Sequence, residues 1–339
     1  MPPFRWVPVG LNLLLATALG HLPTLRALEV VETGYASYQG VTTYDDVTSY
    51  LGIPYAEPPL GDLRFRAPKP LNVTRISSEA GGSVINATQY PEFCVQGPIS
   101  REYSMGSPPC PEFTGAGAGG DRGGAGSEDC LKVNIYSPSK AKAGSNCAFG
   151  SLSYLLLEKH PSLSPVPVLF YIHGGGYLYG NPENWPFDRW VHQSQEVVVV
   201  SIYYRLSAFG FLSHPQFARC GVADYNVGFL DQVQALNWVN DYIYYFGGDP
   251  GMITIDGESA GASSVLLHLT SAGEKLFTQA ISQSLYRAIL PSPSQQQGMF
   301  DDFAARAGCA TSEVTATIAC LRKASVSAIS IAQDATFGS

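Results

Sequence analysis

The chain has 339 residues, of which 45% are hydrophobic and 14% are charged, and this composition excludes an intrinsically disordered protein. A chain of this length can bury the core of one α/β domain. The net charge of −8 and the absence of a Lys/Arg cluster argue against a nucleic-acid partner, because phosphate binding needs a concentrated basic surface.

The first 20 residues predict a secretory signal peptide. One arginine precedes an apolar stretch of signal-peptide length, and Ala16-Thr17-Ala18 has the small-x-small pattern of a cleavage site. A membrane anchor is the alternative, but the run is too short to span a bilayer and Asn12 interrupts it. We therefore expect a secreted protein without a transmembrane anchor, cleaved after Ala18 or Gly20, with Ala27 as a third candidate.

Cysteines and glycosylation motifs agree with this compartment. Seven cysteines in a secreted chain indicate disulfide bonds, and their odd number leaves at least one unpaired. Asn72, in Asn-Val-Thr, and Asn86, in Asn-Ala-Thr, match the acceptor pattern for N-glycosylation. We expect both asparagines to carry glycans.

After the leader, residues 28–56 alternate apolar and polar side chains and predict small antiparallel strands. Residues 98–127 are rich in Gly, Pro and Ser and predict a loop. Within it, GAGAGG (residues 115–120) has the spacing of a dinucleotide-binding motif, which requires a strand before it and a helix after it. Neither flank has that character, so we expect a loop and no cofactor.

Strands and helices alternate in the rest of the chain. Periodicity predicts helices in residues 226–246 and from Ala260 to about Leu269. This alternation implies an α/β fold with a central, mostly parallel sheet covered by helices on both faces. The predicted strands are Val133–Tyr136, Val166–His173, Val197–Tyr203, Ile253–Asp256 and the segment QAISQS near residues 279–284.

The segment ITIDGESAGA (residues 253–262) carries the first chemical signal. Gly257 and Gly261 flank Ser259 at two residues on either side, which permits a tight strand-to-helix turn that exposes the serine hydroxyl. The second signal is HGGGY, residues 173–177, in which three glycines leave backbone N–H groups open to a carbonyl oxygen. Either block alone also occurs in ordinary loops, but together they predict a serine nucleophile with an oxyanion hole.

Longer blocks carry a resemblance to a known family. In order, these are YLGIPYAEPPLGDLRFRAPKP (50–70), SEDCLKVNIYSP (127–138), YRLSAFGFLS (204–213) and FGGDPGMITIDGESAGA (246–262). They resemble the type-B carboxylesterase/lipase family, the cholinesterase-like branch of the α/β-hydrolases. The resemblance implies an α/β-hydrolase fold whose C-terminal part is missing, a partial domain at residues 28–339, and the activity of a carboxylic-ester hydrolase.

The resemblance also implies roles for individual residues. Ser259 matches the nucleophile, and Gly175, Gly176 and Ala260 match the backbone donors of the oxyanion hole. Glu258 resembles a buried carboxylate beside the nucleophile rather than the acid of the catalytic triad.

Cysteines and charged pairs of the family are matched as well. Cys94 with Cys130 and Cys309 with Cys320 match two family disulfides, although Cys110 lies in the same loop as the first pair and is a rival partner. Two further matches are buried ion pairs, Arg64 with Glu128 and Arg205 with Asp231.

The acid and the histidine follow the serine in this fold, and in the family both lie beyond Ser339. Five histidines follow the leader, and we expect each to be structural or superficial: His160, His173, His192, His214 and His268. The chain as written is therefore expected to be a truncated, weakly active esterase with an unpaired edge strand at Gln279–Gln283. The long connection 140–167, which contains Cys147, is either a surface insertion or translated non-coding sequence.

The expected substrate is a neutral acyl or lipid ester. Residues 95–129 contain no Trp, and a choline ester needs an aromatic face for cation–π attraction. A non-catalytic cholinesterase-like binding protein is the alternative function, and a gene remnant is a third. Retention of Ser259 and of both glycine blocks argues against the binding protein. The oligomeric state is not predicted.

Overall fold

The computed structural model describes residues 29–97, 126–141, 165–273, 275–285 and 290–337. The predicted signal peptide, the GAGAGG segment, Cys110, Cys147, His160 and most of the connection 140–167 lie outside these ranges. The strands are β1 Val30–Glu32, β2 Ser37–Gln39, β3 Val41–Tyr44, β4 Val47–Pro54, β5 Val84–Asn86, β6 Lys132–Pro138, β7 Val166–Ile172, β8 Val198–Ile202, β9 Gly248–Glu258 and β10 Gln279–Gln283.

The α-helices of the described ranges are numbered in chain order. They are α1 Val73–Ala80, α2 Asp188–Gln193, α3 Ser207–Phe211, α4 Phe217–Cys220, α5 Val227–Tyr242, α6 Ala260–Thr270, α7 Pro293–Arg306, α8 Val314–Lys323 and α9 Val326–Phe337. Single 3₁₀ turns lie at Gly61–Leu63, Pro182–Asn184 and Ile243–Phe246. None of the helices in the described ranges is long and apolar enough to cross a bilayer.

A seven-stranded sheet in the order β10-β9-β7-β8-β6-β4-β3 forms the centre of the protein. The strands β10, β9, β7 and β8 run parallel, as long helical connections allow. The strands β6, β4 and β3 continue the sheet with antiparallel pairs. The sheet is therefore mixed, and the predicted parallel character belongs to the half that carries Ser259.

Helices cover both faces of this sheet, which confirms the predicted fold class. On β7, Leu169 packs with Val191 of α2 on one face, whereas its neighbours Val168 and Phe170 pack with Leu236 of α5 on the other. This alternation follows from the period of two along a strand. A second core lies between helices α7, α8 and α9, around Phe300, Phe303, Ile318, Leu321 and Ile329.

The early strands confirm the antiparallel prediction for residues 28–56 in part. β1 pairs with β2, and β3 with β4, in antiparallel register. β2, however, also pairs with β5 in parallel, which forms a separate three-stranded sheet. At the opposite end, β10 has only β9 as a neighbour among the described strands, and all its residues are exposed.

Both predicted disulfides and both predicted ion pairs are present. Cys94 is bonded to Cys130, and Cys309 to Cys320, while Cys220 is a free, exposed thiol. Buried Arg205 donates from Nε and Nη2 to Asp231 at 2.8 and 2.7 Å. Arg64 contacts Glu128 and also donates from Nη1 to two carbonyls of the α8 end, those of Leu321 and Ala324, each at 2.7 Å.

Candidate active site

Ser259 lies alone between β9, which ends at Glu258, and α6, which begins at Ala260. The strand-to-helix turn predicted from the sequence is therefore confirmed. The backbone of Ser259 has φ 56° and ψ −114°, a conformation that costs a residue with a Cβ free energy. Its N–H donates to the carbonyl of Gln283 at 3.0 Å, so β10 helps to hold the strained turn.

Close packing explains the two glycines that flank this serine. A Cβ at Gly257 would overlap the backbone of Gly261, and a Cβ at Gly261 would overlap the carbonyl oxygen of Ile172 at the end of β7. Helix α6 therefore begins directly against the neighbouring strand. Any larger residue at either position would push the serine away from the end of the sheet.

Residues 174–180, which follow β7 and are called the glycine segment below, pack on this turn. A Cβ at Gly174 would lie 3.1 Å from the Cβ of Ser259 and 2.6 Å from the carbonyl oxygen of Glu258. Gly175 and Gly176 have φ of +105° and +63°, which glycine adopts without steric penalty. The tertiary structure thus brings together the two blocks that the sequence placed about 80 residues apart.

Three backbone N–H groups at this junction have no acceptor within the described parts of the chain, namely those of Gly175, Gly176 and Ala260. Ala260 is the first residue of α6, and the first N–H groups of a helix have no partner in the helix. The positive end of the helix dipole also favours an anion there. These groups are suited to stabilise a negative oxygen beside the serine.

None of the histidines in the described ranges is hydrogen-bonded to Ser259. Ser259 Oγ forms no hydrogen bond within the described ranges, and none of His173, His192, His214 and His268 contacts it. His192 instead pairs with Asp46 at 2.7 Å on the surface, and His214 Nδ1 accepts from Gln216 N at 3.2 Å.

His173 holds the glycine segment in place through a hydrogen bond to Gly174. It is buried, it stacks on Tyr204 with ring centroids 4.4 Å apart, and its Nδ1 lies 2.8 Å from the carbonyl oxygen of Gly174. Burial lowers the pKa of His173 to about 4, so the ring is neutral and Nδ1–H donates to Gly174. Its own carbonyl accepts from Tyr204 Oη at 2.8 Å, which fixes the end of β7.

Glu258 differs from the expectation that it is buried. Its side chain is exposed, although Oε2 lies close to Gly174, 3.0 Å from where a Cβ would stand. The reason is its position at the carboxyl end of β9, next to the exposed strand β10, where no described segment covers it.

Two positioning groups escaped the sequence analysis. Gln96 closes the far end of the glycine segment: its Oε1 accepts from Gly180 N at 2.6 Å and its Nε2 donates to Cys94 O at 2.6 Å. Tyr177 has a non-glycine φ of 62° and is held by contacts from two helices, α3 and α6. No local pattern marks either residue, because their partners are distant in sequence.

Known esterases are similar to this chain in sequence. The sequence model of the carboxylesterase family matches residues 28–338. Carboxylesterase 1E of Mus musculus is 36% identical over 300 residues, which is 85% of this chain and 45% of that protein. Acetylcholinesterase of Electrophorus electricus is 36% identical over 285 residues, 81% of this chain and 38% of that protein.

Solved structures of esterases have the same fold as this chain. The crystal structure of Aspergillus niger EstA superposes with a TM-score of 0.69 at 33% identity, covering 91% of this chain and 50% of that one. A thermophilic pNB esterase superposes with a TM-score of 0.68 at 29% identity, covering 91% and 54%. The chain therefore spans about half the length of the proteins that it matches.

Proposed function

The chain belongs to the carboxylesterase family, and we propose that it carries the nucleophile and the oxyanion hole of a serine carboxylic-ester hydrolase. The main support is that the glycine segment packs on the Ser259 turn. Three N–H groups at this contact, those of Gly175, Gly176 and Ala260, lack an acceptor in the described ranges. A folded protein has little other use for a strained serine beside unpaired amides.

In the proposed reaction, Ser259 Oγ attacks the carbonyl carbon of the ester and loses its proton to a base. The carbonyl oxygen becomes an oxyanion that accepts hydrogen bonds from the N–H groups of Gly175, Gly176 and Ala260. The carbon–oxygen bond to the alcohol then breaks, the alcohol leaves with a proton, and water hydrolyses the acyl-enzyme.

The base and the acid belong to the part of the family domain that this chain does not cover. The support is that the relatives are about twice as long and that no described histidine contacts Ser259. In a well-characterised serine hydrolase, loss of the histidine costs about 10⁶ in kcat. We therefore propose that the 339-residue chain alone is weakly active.

For the substrate we propose neutral acyl or lipid esters. Carboxylesterase and acetylcholinesterase relatives are equally similar at 36% identity, so the family does not discriminate between their substrates. The proposal rests on the absence of Trp from residues 95–129, most of which lie outside the described ranges. A quaternary ammonium group would lack the indole face that binds it best.

Secretion and glycosylation are part of the same proposal. Two disulfides are typical of an oxidising compartment, and both Asn72 and Asn86 are exposed. The proposed organisation is a leader at residues 1–20, cleaved no later than Ala27, followed by the partial esterase domain 28–339.

The test compares ester hydrolysis by two proteins, the 339-residue chain and a longer chain encoded by any extended transcript. With a short-chain nitrophenyl ester, we expect the longer chain to turn over at an enzymatic rate and the shorter one at a rate lower by several orders of magnitude. Ser259→Ala is the control in both. Activity of the longer chain that survives this substitution would refute the nucleophile, and full Ser259-dependent activity of the shorter chain would place the base inside it.

A further inference from the structure

We propose that Tyr177 is a positioning residue that joins the two halves of the oxyanion hole through a hydrogen bond from Ser264; the inference rests on the proposed function. One half consists of the Gly175 and Gly176 amides after β7, and the other of the Ala260 amide at the start of α6. These amides can bind one oxygen atom only if the two segments keep a fixed separation.

The bond between the two segments is direct. Tyr177 immediately follows the glycine pair, and Ser264 lies one turn into the helix that begins with Ala260. The Oγ of Ser264 donates to the Oη of Tyr177 at 3.2 Å. Ser264 is completely buried, so the bond forms away from bulk water.

Helix α3 also restrains the backbone and the ring of Tyr177. Its carbonyl accepts from Ser207 N at 2.7 Å, and its ring lies 5.0 Å from the ring of Phe211 on α3. Its backbone has φ 62°, which a tyrosine keeps only when its surroundings determine the conformation. A change at the hydroxyl is therefore transmitted to the adjacent glycines.

A chain of buried polar groups fixes the orientation of the Ser264 hydroxyl. Gln232 Nε2 donates to Ser264 Oγ at 3.1 Å, and Gln232 Oε1 lies 3.2 Å from Nε2 of His268. Since the Gln232 oxygen must accept, Nε2 of His268 carries the proton. All donors then run in one direction, from His268 through Gln232 and Ser264 to Tyr177, and Ser264 has its own proton left to donate to the tyrosine.

The alternative is that the same groups only satisfy a polar core beneath α6. In that case, loss of the tyrosine hydroxyl would lower stability without changing the separation of the amides. The two roles are distinguished by the binding of a group that must contact both halves of the oxyanion hole at once.

The experiment measures phenylboronic acid binding by ¹¹B NMR. Boron forms a bond to Ser259 Oγ, the serine proton leaves to solvent, and the resulting anionic, tetrahedral boronate places one hydroxyl in the oxyanion hole. Tyr177→Phe and Ser264→Ala should each weaken binding about tenfold, the double variant no further, and Ser264→Thr should retain affinity. Tyr90→Phe, which removes another tyrosine hydroxyl bonded to Tyr136, is the matched control.

Unchanged affinity in both single variants, or a double variant weakened by the product of the two effects, would overturn the proposal. If the wild-type chain and Ser259→Ala respond identically to the boronate, the proposed nucleophile fails, and amide hydrogen exchange decides the positioning role by itself. The probes are the amides of Leu178 and Tyr179, which donate to Gly175 O at 3.0 and 3.1 Å, and that of Ser207. We expect exchange at least tenfold faster in Tyr177→Phe than in Tyr90→Phe, and equal rates would refute the inference.

Discussion

The Cα of Gly261 lies directly against the carbonyl oxygen of Ile172, so that a Cβ at this glycine would overlap the end of β7. This contact seats the first turn of α6 on the sheet and sets the position of Ser259, two residues earlier. Close packing therefore requires a glycine at position 261 of the Ser259 turn.

Gly261→Ala should destabilise the protein by more than 2 kcal/mol, because the added methyl group meets backbone rather than a movable side chain. Gly298→Ala is the matched control, since Gly298 lies inside helix α7 with open space around it. There, alanine should stabilise by about 0.5–1 kcal/mol. Urea unfolding of both variants checks the prediction, and a Gly261→Ala protein of wild-type stability would contradict it.

Glu128→Gln should lower the free energy of unfolding by about 3–5 kcal/mol, because it leaves the buried Arg64 guanidinium without its anion. Glu79→Gln is the control: Glu79 pairs with Arg75 at 2.7 Å but is 61% exposed. An exposed pair of this kind contributes at most about 1 kcal/mol. Equal losses in the two variants, measured by denaturant unfolding, would show that burial of the Arg64 pair does not matter.

The disulfides should appear as Cys94–Cys130 and Cys309–Cys320 in peptides mapped without reduction. A peptide linking Cys94 to Cys110 would refute the first pairing. The sequence separations are 36 and 11 residues, so loop-closure entropy makes the first bond more stabilising by about 1 kcal/mol. Replacing each pair by serines and comparing the unfolding midpoints measures the difference.

Stability should fall as the pH drops from about 6.5 towards 4, with a contribution from His173. Burial lowers its pKa to about 4 in the folded protein, against an ordinary value of 6.5, so the unfolded chain binds the proton first. The stability linked to this group is therefore complete above pH 6.5 and is lost through the window down to about 4, at most about 3–3.5 kcal/mol. His173→Asn keeps an N–H donor for Gly174 and should flatten this part of the pH profile; an unchanged profile would contradict the assignment.

Secreted material should begin after Ala18, Gly20 or Ala27, and N-terminal sequencing that starts at Met1 would contradict the leader. Asn72→Gln and Asn86→Gln should each remove one glycan, seen as a faster band on gels before but not after enzymatic deglycosylation. Both side chains are exposed, and Asn72 uses only its Oδ1, which accepts from Arg75 N at 3.0 Å. Mobility unchanged by both substitutions would refute glycosylation.

Local patterns in the sequence were sufficient to predict the strands and the helix that position Ser259. Strand β10 and helix α6 lie at or within one or two residues of their predicted bounds, and Ser259 occupies the predicted turn. Strand β9 is longer than predicted: residues 248–251 have turn-like composition, but Gly248 pairs with Val166 of β7, and the strand reaches Ile253 through a shift in register. Helices α7 to α9 have no counterpart in the sequence analysis.

The sequence by itself determined the α/β fold class, the turn at Ser259 and the glycine segment, since each depends on residues that are close together in the chain. Only the tertiary structure decided that half of the sheet is antiparallel, that Glu258 is exposed, and that Ser264 donates to Tyr177. Those features depend on how segments more than 60 residues apart pack together, as β6 does with β8 and β4, or on what covers a residue. Periodicity and local steric requirements carry no information about such distances, which are set when the strands and helices pack.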